Sequence, residues 1–326
     1  MSQAIVVPTI SLDRDPAVVG REIDETLRTV GFFQIVDHGV DAAVADAAWQ
    51  AAHAFFDLPL VDKLSVERPD GGLYGYFPML SESLSASRGG RFAGDLKESF
   101  NMGPGIRHDH TPVDETEAAI FTANRWPDAF ASLQQTWQKH YAEMGALANR
   151  LMRTFALGLD LEPDHFSPHI DHAPSALRAI NYPQQTEAPE VGQLRAGAHT
   201  DYGTLTILRQ QPGRAGLQVH DDATESWVAI PAVDAALVIN IGDLMARWTN
   251  DRWKSTLHRV VNADAAPGST EVDSLRRQSM PFFHNANYSA VIECLPSCVA
   301  AGEMPKYLPV MAGRHLAGKT AKSVAG

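Results

Sequence analysis

A chain of 326 residues with 44% hydrophobic and 20% charged side chains has the composition of a soluble globular protein, long enough to bury a large core as one large domain or two ordinary ones. Its 27 Lys and Arg against 39 Asp and Glu leave a net charge of −12, which argues against a nucleic-acid backbone or an anionic membrane as partner, yet permits a local arginine cluster around a small substrate. No apolar run approaches the roughly 18 residues of a membrane span, and Met1–Thr9 lacks the basic-then-apolar order of a secretory leader. The two cysteines, Cys294 and Cys298, are too few for a four-thiolate zinc site and too closely spaced for a structural disulfide, so a reduced, cytoplasmic setting is expected.

Ile5–Ile10 reads as a short first strand. Asp15-Pro16 then opens a helix whose Val19, Ile23, Leu27 and Val30 keep helical spacing, and Gly31 ends it. Phe32–Val36 is a strand, Asp37-His38-Gly39 a turn in which His38 has a structural role, and Asp41–Phe56 a second helix stopped before Pro59. Asp70–Gly105, rich in Gly, Ser and Pro, reads mostly as loop. A long amphipathic helix follows, with Phe130, Leu133, Trp137, Tyr141, Met144, Leu147, Leu151 and Phe155 on its buried stripe.

From Leu177 the pattern changes to short runs: Leu177–Tyr182, Thr204–Leu208, Leu217–His220, Trp227–Ile230, Ala236–Ile241, Trp253–Val261 and Arg277–Phe283, separated by turn signals such as Gln211-Pro212-Gly213 and Thr249-Asn250. Helices first and many short strands later predict an α+β chain, with a β-sandwich or jelly-roll core on which the helical N-terminal part packs.

Two clusters within this region carry chemistry. His199-Thr200-Asp201 is placed at or just before the start of the Thr204–Leu208 strand, where side chains two residues apart lie roughly 7 Å apart on one face and can converge on a metal. His258, on a neighbouring strand, completes a set of two imidazoles and one carboxylate, which leaves one face of an iron ion open. Taken alone, His-x-Asp is also compatible with ordinary polar residues at strand ends. In Arg277-Gln278-Ser279, a strand would aim a guanidinium and a hydroxyl at one place, a good carboxylate clamp or, equally, a salt-bridging surface strand. Tyr182 can add a phenol donor or be a core tyrosine.

These residues resemble the isopenicillin N synthase-like family of non-haem iron, 2-oxoglutarate-dependent dioxygenases. The resemblance covers most of the chain: Val7-Pro8-Thr9-Ile10, the Gly31–Val40 run, Lys97-Glu98-Ser99-Phe100, Gly216-Leu217-Gln218-Val219, Asn240-Ile241-Gly242-Asp243, and the tail Tyr307–Gly313. It implies a double-stranded β-helix core, with His199, Asp201 and His258 as iron ligands and Arg277, Ser279 and Tyr182 holding 2-oxoglutarate. It implies Fe(II), 2-oxoglutarate and O2 as cofactor and cosubstrates, with ascorbate as a stimulant, and oxidation of a small molecule's C–H bond with release of succinate and CO2. Hydroxylation is expected, with desaturation and cyclisation as variants.

Two departures from the family pattern stand out. Ile180 occupies the position two before Tyr182 where many members have Asn, leaving Asn181 as a weak cosubstrate candidate. The stretch from Asn262 to Leu275 is long and reads as a polar hairpin near the site, with Arg276 as a second candidate for the clamp. The expected organisation is one compact unit: residues 1–105 an N-terminal α/β region, 106–175 helical support, 176–290 the catalytic jelly roll and 291–326 a segment closing the site. Phe283, Tyr74, Tyr76 and Phe77 are candidates for the substrate wall, along with the pocket edge near Tyr307, and Arg88 and Arg91 for an acidic substrate; equally, these are loop anchors and solvated charges. An iron oxidase of the same fold that dispenses with 2-oxoglutarate and a non-catalytic small-molecule sensor are the alternatives.

Overall fold

The computed structural model describes residues 5–85, 94–185, 189–190, 192–214, 216–262 and 276–324. The first half comprises β1 (Thr9–Ser11), α1 (Pro16–Thr29), β2 (Phe32–Val36), α2 (Ala42–Phe56), α3 (Leu60–Leu64), β3 (Gly75–Phe77), β4 (Glu98–Met102), α4 (Glu115–Ile120) and α5 (Ser132–Gly158). The second comprises β5 (Ala176–Tyr182), β6 (Ala196–His199), β7 (Leu205–Gln210), β8 (Leu217–Asp221), β9 (Ser226–Ala229), β10 (Leu237–Ile241), α6 (Asp243–Trp248), β11 (His258–Val260), β12 (Arg277–His284), β13 (Val291–Ile292), β14 (Val310–Met311) and α7 (Ala312–Val324). No helix among the described residues is long and apolar enough to cross a membrane.

The strands form an eight-stranded sheet in the order β1-β2-β10-β7-β12-β5-β4-β3 and a four-stranded sheet in the order β6-β11-β8-β9. Helices α1, α2 and α5 cover the outer face of the large sheet, where Phe33, Phe100, Trp137, Phe155, Ile207 and Phe282 share one core. A smaller core between the two sheets contains Phe32, Tyr182, Leu217, Val219 and Val260. Alternation along each strand explains the division: Phe32 faces inward and Phe33 outward, as side chains of successive strand residues must. The architecture is the α+β jelly roll expected from the order of helices and strands.

Local signals formed the helices as read. Asp15 caps α1 by accepting from the N–H groups of Ala17 and Val18 at 2.9 and 3.1 Å, and Pro16 takes the first turn, where its missing N–H costs nothing. Where α1 crosses α5, Gly20 and Gly158 let the backbones touch; a Cβ on Gly20 would lie 2.7 Å from the Thr154 carbonyl oxygen.

Tertiary pairing changed several readings. The first strand starts at Thr9 rather than Ile5, because the ladder with β2 begins where Thr9 pairs with Gln34. Asp70–Gly105 contains β3 and β4, short strands made by docking: β4 onto β5, where Glu98 pairs with Asn181 and Asn101 with Arg178, and β3 onto β4, where Tyr76 pairs with Phe100. Only His258–Val260 of Trp253–Val261 is strand, while Trp253 is buried against Phe155. His199 ends β6, in the small sheet, rather than leading into β7 in the large one. Residues 263–275, expected to be a hairpin, and Arg88 and Arg91 lie outside the described residues.

The approach to β11 is tied to α1 by a buried carboxylate. Asp24 accepts from Arg252 Nε and Nη2, both at 3.0 Å, and from Trp253 Nε1 at 2.8 Å, with Arg28 also 2.7 Å away. Thr256 Oγ1 then donates to the Val30 carbonyl at 2.7 Å. Burial opposes ionisation of Asp24, but the hydrogen bonds from Arg252, Arg28 and Trp253 outweigh it and hold the carboxyl below its ordinary value. Asp24→Asn should therefore lower stability near pH 7 by roughly 2–3 kcal/mol, the scale of charged hydrogen bonds lost from a buried partner. The native carboxylate's contribution is complete above its unfolded pKa of about 3.9 and fades as pH falls through the lower folded value, so the gap between variant and wild type should shrink in denaturant melts toward pH 3.

Candidate active site

The two imidazoles meet because their strands pair. His258 on β11 lies directly across from His199 on β6, and their ring centres are 4.3 Å apart. Each ring is held from behind: His199 Nδ1 donates to the Gly197 carbonyl at 2.7 Å, and His258 Nδ1 to the Thr256 carbonyl at 3.1 Å. Those bonds place the ring proton on Nδ1 and leave each Nε2 lone pair facing Asp201, at 3.9 Å from His199 and 3.8 Å from His258. Phe32 packs edge-on against the His258 ring at 5.2 Å.

Asp201 arrives from a different direction. It lies in the corner where the chain leaves β6 for β7, crossing from the small sheet to the large one. The corner is tight: a Cβ on Gly203 would lie 2.3 Å from the His284 carbonyl oxygen, and one on Gly242 would lie 2.3 Å from that of Gly203. Register between β10 and β7 sets Asn240 beside Thr206, and both donate to Asp201 Oδ2, at 2.7 and 2.5 Å. Oδ1 is thereby left for the histidines' side, and the three donor atoms lie within 4.8 Å of one another. Asn240 and Thr206 were absent from the residues singled out in the sequence; only the β10–β7 register reveals them, although Asn240 stands in one of the family-like motifs.

Electrostatics suits a metal. Burial, reinforced by the facing His258, pushes His199 down to about 4, so its imidazole is neutral near pH 7. Burial works against the Asp201 carboxylate, but His258 and His199, with the bonds from Asn240 and Thr206, keep it below the ordinary range. A neutral His199 imidazole, with His258 Nε2 turned toward the same point as its own Nε2, and one oriented carboxylate fit a divalent ion with open positions, the arrangement that serves non-haem iron.

These residues line one end of a cavity of about 240 Å³ between the sheets. Arg277, Ser279, Pro281 and Phe283 on β12 and Ala176, Arg178, Ile180 and Tyr182 on β5 alternate into it. Arg277 is 1% exposed, with its guanidinium carbon 5.0 Å from the centre of the Tyr182 ring and Nη2 donating to Gln210 at 3.4 Å. Its Nε and Nη1 have no protein partner. Buried, unpaired donors on a cation are costly, and a carboxylate from a bound molecule would satisfy them. Arg276 points the other way, toward Asp57 and Asn181, and Asn181 is spent on Glu98 at 2.7 Å, so neither belongs to the clamp.

The substrate-wall candidates divide. Tyr74, Phe77 and Phe283 line the cavity. Tyr76 does not: next to Phe77 on β3, it faces the opposite way, into the core, and its hydroxyl donates to Glu98 at 2.5 Å. Tyr307 also lies elsewhere, donating to Asp251 at 2.8 Å, and the C-terminal segment reaches the cavity through Leu316 and Thr320 of α7. His38 is structural, as read, bonded to the Ala235 carbonyl and the Val40 N–H.

Two family models match the chain: the N-terminal region of non-haem dioxygenases in morphine synthesis over residues 7–129, and the 2OG-Fe(II) oxygenase superfamily over residues 174–286. The chain is 34% identical to the 2-oxoglutarate-Fe(II) type oxidoreductase hxnY of Emericella nidulans, covering 89% of this chain and 80% of that protein. It is 35% identical to validamycin A dioxygenase of Streptomyces hygroscopicus subsp. limoneus, covering 89% and 78%. Among solved structures, a full-length Neurospora crassa protein in complex with alpha-KG and thymine superposes with a TM-score of 0.82 at 28% identity, covering 97% of each chain.

His199→Ala or Asp201→Ala should abolish stoichiometric iron binding, measured by metal analysis after anaerobic Fe(II) loading, with the circular dichroism melt retained. Asn240→Ala, which removes one of the bonds orienting Asp201, should weaken Fe(II) binding by about 10–100-fold.

Proposed function

The chain belongs to the 2OG-Fe(II) oxygenase superfamily, and from that premise we propose that His199, Asp201 and His258 hold its Fe(II), that Arg277, Ser279 and Tyr182 hold the distal carboxylate of 2-oxoglutarate, and that the rest of the cavity holds a small organic substrate. The protein is a non-haem iron, 2-oxoglutarate-dependent dioxygenase. The observation that carries the residue assignment is that a complete donor triad and a buried guanidinium with two unpaired N–H-bearing nitrogens open into one cavity.

When bound together, Fe(II) and 2-oxoglutarate supply the reduction of O2, coupled to conversion of 2-oxoglutarate into succinate and CO2 and to oxidation of a substrate C–H bond. The polypeptide's task is to bind, orient and exclude water. Asn240 and Thr206 fix Asp201 in one rotamer, and the Gly197 and Thr256 carbonyls fix both imidazoles, so the donor set is organised before loading. Arg277 offers a fork at the far end of the cosubstrate, with Ser279 on the same face of β12 and Tyr182 opposite Arg277 on β5. Ile180, Leu208, Leu217, Val260 and Phe283 form an apolar lining that keeps competing water out.

A small-molecule substrate is supported by the thymine in the Neurospora crassa complex and by the name of validamycin A dioxygenase. The complete donor set and the 2-oxoglutarate-dependent relatives weigh against both a sensor and an oxidase independent of 2-oxoglutarate. Both cysteines are free, which supports a reducing, cytoplasmic setting.

A substrate screen with Fe(II), ascorbate and 2-oxoglutarate, read by succinate release, tests the reaction. Arg277→Leu should raise the 2-oxoglutarate concentration for half-maximal succinate release by about 10–100-fold, corresponding to roughly 1.5–3 kcal/mol for a lost charged hydrogen-bond partner, with Fe(II) binding unchanged. An unchanged requirement would remove Arg277 from the clamp.

A further inference from the structure

The cavity contains a second polar cluster that neither the metal nor 2-oxoglutarate uses. Arg178 lies on the face of β5 shared by Ile180 and Tyr182, and Lys97 immediately precedes β4; with Glu82 they line the cavity. All are withdrawn from bulk water: Arg178 is 9% exposed and Lys97 2%. Arg178 Nη2 donates to Glu82 Oε2 and, at 2.7 Å, to Ser99 Oγ, while its guanidinium carbon lies 4.9 Å from the centre of the Phe77 ring. Lys97 Nζ lies 2.6 Å from Asp95 Oδ2 and 3.7 Å from Glu82 Oε2. Arg178 Nε has no partner, and the contacts of the Glu82 carboxylate with Arg178 and Lys97 both fall on Oε2.

We propose that Glu82 and Arg178 are the specificity-determining residues for the substrate and that they select an uncharged amide-type group, a carbonyl with an adjoining N–H, over a carboxylate or an ammonium. The inference rests on the dioxygenase reading of the neighbouring site. Its basis is charge balance in a dry cavity. Arg178 and Lys97 are matched by Glu82 and Asp95, so these four groups sum to zero without a ligand; Arg68, on the same Phe77 ring, also acts on Glu82 but is not among the residues lining the cavity. Burial alone would raise the Glu82 carboxyl, but the charges of Arg178 and Lys97 bring it down to about 2, so it remains an acceptor-only carboxylate. The metal end balances as well: Fe(II), the Asp201 carboxylate, doubly charged 2-oxoglutarate and Arg277 sum to zero. A charged substrate head would therefore enter as an uncompensated buried charge, whereas an amide brings an acceptor for the guanidinium and a donor for the carboxylate. Phe77, stacked on Arg178, and Tyr74 offer flat apolar surface beside that group.

The test uses three probes with the same ring and different charge: benzamide, benzoate and benzylamine. Each is titrated calorimetrically into the anaerobic enzyme loaded with Fe(II) and 2-oxoglutarate. The wild type should bind benzamide at least tenfold more tightly than either charged probe. Glu82→Gln leaves a positive excess and should turn the preference toward benzoate; Arg178→Gln leaves a negative excess and should turn it toward benzylamine. A role confined to structure would weaken all probes alike and reverse no order. A charged probe binding best to the wild type, equal or absent binding of all three, or folded variants that keep the wild-type order would overturn the proposal. If thermal melts show a variant unfolded, the wild-type order decides. Succinate release by the wild type in the substrate screen is scored separately, so loss of the dioxygenase reading is distinguishable from loss of this one.

Discussion

The site depends on the closure of two sheets around a strand corner. β6 and β11 set His199 opposite His258 in the small sheet, and β10 and β7 set Asn240 beside Thr206 in the large one. Asp201, in the turn between them, belongs to neither sheet and is oriented by the large one toward the histidines of the small one. Slipping either ladder by one residue would turn its side chains to the opposite face, separating the donors from one another or Asp201 from its supports. Stability of the sandwich and assembly of the donor set are consequently the same problem. The Asp24 network contributes to both, because it fixes the chain just before β11.

Buried charge is arranged in compensated groups. Arg252 and Arg28 meet Asp24, Lys63 meets Glu98, and Arg178 and Lys97 meet Glu82 and Asp95. Asp95 also accepts the Gly197 N–H at 2.9 Å, so the polar cluster is connected to the strand that carries His199. Arg277 differs, since its buried donors are largely unanswered by the protein. A buried cation with two nitrogens left without a protein partner is a costly feature for a fold to keep, and the proposed contact with a dicarboxylate cosubstrate would give it a use.

Most elements could be read from the sequence because their causes are local. Asp15-Pro16, the helical spacing of Val19, Ile23 and Leu27, and the Phe32–Val36 run each dictate structure within a few residues. The triad was legible through its spacing and the Arg-x-Ser pair through strand alternation. β3, β4 and β6 were not legible: runs of three to five residues are too short to announce a strand and become strands only because a neighbouring edge pairs with them. Tyr76 shows the same limit from another side. Its aromatic character marked it for a pocket, but one position on the pleat decides between pocket and core, and only Phe77 has the right phase.

The sequence by itself therefore pointed to the groups proposed to carry the chemistry: two histidines and an aspartate for the metal, and Arg277 with Ser279 for an anion. Those identities are intrinsic to side chains and to spacings along one strand. Tertiary structure alone decided what surrounds them: that Asn240 and Thr206 orient Asp201, that Arg277 and not Arg276 faces inward, and that Glu82 and Arg178 meet inside the cavity. These relations join residues far apart in the chain through sheet register, and register is set by the summed pairing and burial of whole strands rather than by any local motif.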